Sequence, residues 1–154
     1  MRHNAKIRGG VAVPLDCLVI PMKILPLTLK KKWFDMILAG EKAEEYREIK
    51  DYWATRFLCG PKEIEWQCWQ EMLEDMRQPF LRHNGPSDLM NFFGVKFKGY
   101  EAIRFRNGYQ SDAPSFDIEI KGFDLKQGRE DWGAEKDRFY FVFALGRILD
   151  GASV

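Results

Sequence analysis

From Arg138 to Leu145 the chain reads Arg-Phe-Tyr-Phe-Val-Phe-Ala-Leu, almost wholly apolar and dense in β-prone aromatics, the mark of a buried strand. Two segments upstream alternate instead. Ile103 and Phe105 interleave with Arg104 and Arg106 before Asn107-Gly108, and Phe116, Ile118 and Ile120 interleave with Asp117, Glu119 and Lys121. Period-two alternation is what a half-buried strand produces. Ile24 to Leu29 is also β-like, with Pro26 suiting an edge, and Ala43 to Ile49 reads as a strand despite its charge. Between these two, Trp33, Phe34, Met36, Ile37 and Leu38 have the spacing of a short helix with one broad apolar face, stopped at Gly40. Asp51 is placed to cap a helical turn through Tyr52, Trp53 and Phe57. Pro61 to Met76 reads as a helix, with Ile64, Cys68, Met72 and Met76 recurring every fourth position. After the break at His83-Asn84-Gly85-Pro86, Ser87 can cap a short turn carrying Leu89, Met90, Phe92 and Phe93. Strands outnumber helices, and a helix separates the first two strands. The expected fold is α+β, a small barrel with peripheral helices.

A length of 154 residues suits one domain. Residues 1–21, with two prolines and a Gly-Gly pair, are expected to form a loosely attached arm or an extension upstream of Met22, itself a natural start; residues 22–154 are the domain. Asp16 and the prolines break the early apolar stretch, which therefore does not read as a signal peptide. No apolar run approaches the roughly 20 residues of a membrane span, so no membrane partner is expected. Cys17, Cys59 and Cys68 are odd in number and scattered, which suggests buried free thiols in a reducing cytoplasm. With His3 and His83 as the only histidines, no metal site and no cofactor are expected. Lysines and arginines number 24 against 23 acidic residues, so any grip on nucleic acid has to come from a local patch.

The sharpest candidate for such a patch is Gly40-Glu41-Lys42-Ala43-Glu44-Glu45-Tyr46-Arg47. On a strand, Glu45 and Arg47 share a face while Tyr46 points away, and Lys42 in the preceding turn can lean over that face. A carboxylate between two cations can orient a ligand amine or activate a water, and the cations can hold a phosphate or a developing oxyanion. The same pattern is equally what a solvated strand face with weak surface ion pairs would show. Lys30, Lys31 and Lys32 either face a phosphate backbone or form a solvated first helical turn. Arg104 and Arg106, on one strand face, either extend the patch or pair with neighbouring acids. Tyr109, Tyr52, Trp53 and Trp132 could stack on bases or serve as core, whereas Trp33, Phe34 and Ile37 read as core. Asn107 reads as the left-handed residue of a tight turn.

The stretch Leu27-Thr28-Leu29-Lys30-Lys31-Lys32-Trp33-Phe34, continuing into Gly40-x-Lys42-x-x-Glu45-x-Arg47, resembles the ASCH domain family of PUA-like β-barrels. The G-x-K-x-x-E-x-R match is complete and stands in the strand–helix–turn–strand context of that family. Tyr52-Trp53, Arg104 to Tyr109, Trp132-Gly133 and Phe139 to Leu149 extend the resemblance from Met22 to Leu149, with Pro61 to Phe93 as a helical insertion. The resemblance implies a PUA-like barrel with a cleft beside the first helix, and RNA or a modified nucleoside or nucleotide as partner. Lys42 and Glu45 become the candidate catalytic pair, and Lys30, Arg47, Arg104, Arg106 and Tyr109 the candidate ligand contacts. Some members resemble ribonucleases, and one branch hydrolyses N4-acetylcytidine with the motif lysine, a threonine at the motif's glutamate position and a later glutamate. Here Glu45 stands in place of that threonine, and Glu119 is the candidate for the later glutamate.

Overall fold

A computed structural model describes residues 21–60 and 65–149, together with the backbone of residues 5–8 and 11–14. The expected arm at 1–21 falls mostly outside them; within it, β1 (Ala5–Arg8) and β2 (Val11–Pro14) pair antiparallel. The domain proper runs β3 (Ile24–Thr28), α1 (Lys31–Leu38), β4 (Glu44–Arg47), α2 (Asp51–Phe57), β5 (Leu58–Cys59), α3 (Trp66–Arg77), α4 (Pro86–Phe93), β6 (Lys96–Phe97), β7 (Ala102–Arg106), β8 (Ser115–Gln127), a 3₁₀ turn (Glu130–Trp132) and β9 (Phe139–Ile148).

Five strands form one curled sheet in the order β3-β7-β8-β9-β4, parallel between β3 and β7 and antiparallel elsewhere; β5 and β6 pair separately. The alternation of β7 and β8 is realised, with Ile103, Phe105, Phe116 and Ile118 buried. The long strand β8 carries the curl. It pairs with β7 through its first part and with β9 through the rest, with register shifts between Ile118 and Ile120 and between Ile120 and Gly122. Unpaired residues of this kind bend a strand and increase its twist. The result is a mixed α+β fold around a half-barrel. Among the described residues the backbone ladder does not close into the barrel expected from sequence, because β3 and β4 remain its two edges.

Helices cover the buried faces. Phe34 of α1 meets Phe116 edge-on at 4.9 Å, and Phe57 of α2 meets Phe141 and Phe143 edge-on at 5.5 and 4.9 Å. Phe97 stacks on Phe123 at 4.4 Å. Offset and edge-to-face pairs of this kind add to area burial, so one aromatic cluster unites α2, β6, β8 and β9. Met72, Leu73 and Met76 of α3 and Leu89 of α4 complete the core.

Several local readings change. Helix α3 starts at Trp66, and Cys68 is exposed rather than one of a four-residue apolar series; Ile64 lies outside the described residues. Cys59 is half-buried, so neither described thiol is a core side chain. Asp51 does not cap α2 with its side chain; its carboxylate accepts the Trp69 indole N–H at 2.6 Å and ties α2 to α3. Helix α4 begins at Pro86 with Gly85 as its N-cap, ahead of Ser87. Asn107 is not left-handed; its Nδ2 donates to Leu29 O at 3.1 Å, and a loop of residues 107–114 joins β7 to β8 where a tight turn was expected. Gly40 does end α1, at φ +79°, where its N–H and that of Glu41 donate to Ile37 O and Met36 O.

Phe57 touches aromatics from two strands, Phe123 of β8 and Phe141 and Phe143 of β9, so Phe57→Ala should cost about 3–5 kcal/mol in urea unfolding. A loss under about 1 kcal/mol would mean that the cluster repacks and is not what joins α2 to the sheet.

Candidate functional site

The motif residues converge where α1 ends and β4 begins. The turn set by Gly40 brings Lys42 over β4, and the Lys42 side chain is only 1% exposed. Its ammonium donates to Glu44 O and to Glu45 Oε1, the latter at 3.0 Å, and lies 4.9 Å from the centre of the Tyr46 ring and 5.7 Å from that of Trp33. Glu45 is buried too, and its second oxygen, Oε2, pairs with Arg47 Nη2 at 2.8 Å. Arg47 Nη2 also donates to Thr28 O at 3.2 Å, and its guanidinium lies 4.8 Å from the Trp53 ring centre. Among the described residues the buried Arg47 Nε has no hydrogen-bond partner. This is a continuous ion chain and not a solvated strand face, since an ion pair out of water stands only when well paired.

Beside it lies a cleft of about 440 Å³. Trp33, Tyr46, Trp53, Trp132 and Tyr140 give it aromatic walls, and Glu45 and Arg47 are part of its lining. Lys42 is not: it sits behind Glu45, so its direct effect in this geometry is on Glu45 and the neighbouring rings. Lys30 reaches the cleft, whereas Lys31 pairs with Asp35 at 2.6 Å and Lys32 lies over Trp33 at 4.6 Å. Arg104, Arg106 and Tyr109 are not among the lining residues. Arg104 is locked to Asp117 by two hydrogen bonds of 2.8 and 2.9 Å, the first cause of its raised pKa; Arg106 donates to Gln110 O; Tyr109 is 89% exposed on the 107–114 loop. Glu119 is also elsewhere, facing the Arg147 N–H at 3.5 Å.

Sequence reasoning missed several lining residues. Trp33 is half-buried: it packs against the core, as expected, and also walls the cleft. Tyr46 points away from the Glu45 and Arg47 face as expected, packing with Tyr140 and Val142, and its ring lies beneath Lys42; its hydroxyl donates to Glu44 Oε1 at 2.7 Å and accepts the Arg129 N–H at 3.0 Å. Burial pushes this hydroxyl above the ordinary tyrosine range, Arg129 N–H opposes the shift and the Glu44 carboxylate adds to it. Lys50, Glu48, Glu135 and Arg138 also line the cleft. The only signal for Arg138 was its position before the apolar run of β9, which antiparallel pairing sets beside β4, with Phe141 opposite Arg47. Among the described residues there is no group of three or more His, Cys, Asp or Glu side chains fit to hold a metal ion, and no helix long and apolar enough to cross a membrane.

Two outcomes follow. Lys42→Ala leaves buried Glu45 without one of its cations and should cost about 3–5 kcal/mol in urea unfolding; a cost near that of a surface pair, about 1 kcal/mol or less, would contradict the burial of the chain. For Tyr46 the folded-state pKa is raised. Its stabilising contribution is therefore complete below the unfolded value, near 10, and lost as pH rises through the folded one. An ultraviolet titration should show one tyrosine ionising after the others, and Tyr46→Phe should remove that late step. No family model, curated protein or solved structure matches the chain, so the chemistry of the site carries its functional reading.

Proposed function

We propose that the chain is an ASCH-type, PUA-like domain whose cleft binds an RNA nucleotide or a modified nucleoside. The observation that carries this reading is the Lys42–Glu45–Arg47 ion chain lying against an aromatic-walled cleft of about 440 Å³. That volume falls within the ~300–1,000 Å³ of small-molecule sites. Flat rings suit a nucleobase, which any aromatic face can stack against. Glu45 retains unused acceptor positions for a base amine, since each of its oxygens carries one cation and has two lone pairs. Arg47, Lys30 and Lys50 supply donors for a phosphate.

Binding is favoured over hydrolysis of RNA or of an N4-acetylcytidine-type amide. Both oxygens of Glu45 are engaged by cations, no hydroxyl stands at that position, and Glu119 is not in the cleft lining. Lys42 then acts as a positioning residue that fixes Glu45.

Tryptophan fluorescence with short single-stranded RNA at low salt tests the reading. Wild type should bind, and Arg47→Ala and Trp132→Ala should each weaken binding about tenfold or more. Binding that is absent, or unchanged in both variants, rejects the cleft. RNA and N4-acetylcytidine incubated with pure protein should be recovered intact by chromatography; release of product would replace binding by catalysis.

A further inference from the structure

We infer that the cleft continues into a second compartment that takes the base of an adjoining nucleotide, so that the ligand is a single strand of at least two nucleotides rather than a free nucleoside. This rests on the nucleotide reading of the first compartment. The second compartment measures about 570 Å³ and is lined by Ile49, Arg77, Phe80, Leu81, Arg138 and Phe139, among others. Arg138 lines both.

The way the chain divides its side chains explains the junction. Glu48 and Lys50 line the first compartment and Ile49 the second; Tyr140 lines the first and Phe139 the second. The two cavities are therefore neighbours along these segments and share Arg138. A phosphodiester joining two bases held on either side would pass this guanidinium. Arg138 is placed rather than loose: it pairs with Glu135 at 2.5 Å and Glu48 at 3.5 Å and lies 5.2 Å from the Tyr140 ring centre. Both carboxylates are largely exposed and can yield to a phosphate, to which a guanidinium offers a forked set of donors.

The second compartment also has a stacking surface. Phe80 is 67% exposed, a costly position for a ring in water. Its back rests on the bare backbone of Gly85 at φ +104°, where a Cβ would stand 3.0 Å from the ring. Phe139 lies tilted beside it at 6.3 Å. The ring is thus held along one edge and stays largely exposed. Arg77, anchored by Nε to Ile49 O at 3.0 Å and paired loosely with exposed Glu74 at 3.6 Å, adds a cation to the same lining. An exposed ring in a compartment that two guanidinium groups also line, next to a first base site, has the chemistry of single-strand binding, where bases stack and phosphates meet arginines. Only unpaired bases can splay into such pockets.

The test compares the four ribonucleosides with the dinucleotides ApA, CpC, GpG and UpU by titration against wild type, Phe80→Ala, Phe80→Trp and Arg138→Ala. At least one dinucleotide should bind wild type about tenfold more tightly than its nucleoside. Phe80→Ala and Arg138→Ala should bring that ratio close to one, and Phe80→Trp should keep it. A wild-type ratio near one, or a ratio untouched by Phe80→Ala, overturns the second compartment while leaving the nucleoside reading in place. Failure of every probe to bind wild type overturns both. Because Phe80 is exposed, its variants should keep the wild-type melting temperature.

Discussion

Among the described residues, the side-chain hydrogen bond between the two edge strands of the curled sheet is made by Arg47, and the cleft lies at that joint. Arg47 stands on β4 and donates to Thr28 O at the end of β3, at the far side of the sheet order. The backbone ladder leaves these edges apart, so a guanidinium does across the gap what main-chain pairing does elsewhere. Arg47 can do so because Glu45 holds it at 2.8 Å and Lys42 in turn holds Glu45 at 3.0 Å. Each ion is removed from water and would be costly alone; together they leave few unpaired charges in the interior. The site and the closure of the fold are therefore one network.

The aromatic residues divide into two populations by what lies next to them. Phe57, Phe105, Phe116, Phe141 and Phe143 meet one another and are fully buried. Trp33, Trp53 and Trp132 also meet cations: Lys32 and Lys42 near Trp33, Arg47 and Arg56 near Trp53, and Arg129 at 4.1 Å from Trp132. A ring that faces a cation keeps one side away from the core and contributes through its quadrupole as well as its area. Trp33 and Trp53 thus join the core on one side and the cleft wall on the other.

The alternating strands β7 and β8, the end of α1 at Gly40 and the buried run of β9 were legible because each depends on local periodicity or on one backbone angle. The shared face of Glu45 and Arg47 was legible for the same reason, being fixed by the pleat. What escaped depended on the third dimension. The burial of Lys42 follows from two rings and a carbonyl that come from α1 and β4 together. Arg104 and Arg106 share the alternation of a binding face, but Asp117 on β8 and the carbonyl of Gln110 take their donors. Tyr46 points where the pleat sends it, yet the loop carrying Arg129 comes back to meet its hydroxyl. Alternation states which side a residue faces and not what else arrives there.

The near-neutral charge of the chain, +1, is compatible with a basic ligand contact because of how charge is sorted around the cleft. The inner acid, Glu45, is neutralised by Lys42 and Arg47 before any ligand arrives. The outer acids, Glu48 and Glu135, are exposed and share one cation, Arg138. Lys30 and Lys50, also on the lining, form no ion pair among the described residues. The lining thus has exposed ammonium groups on its outside and the paired guanidinium of Arg47 deeper in. Screening by salt acts mainly on the exposed lysines, while the buried ion chain lies beyond its reach. Long-range attraction is weak in such an arrangement and short-range geometry strong, which favours discrimination among ligands over a general affinity for polyanions.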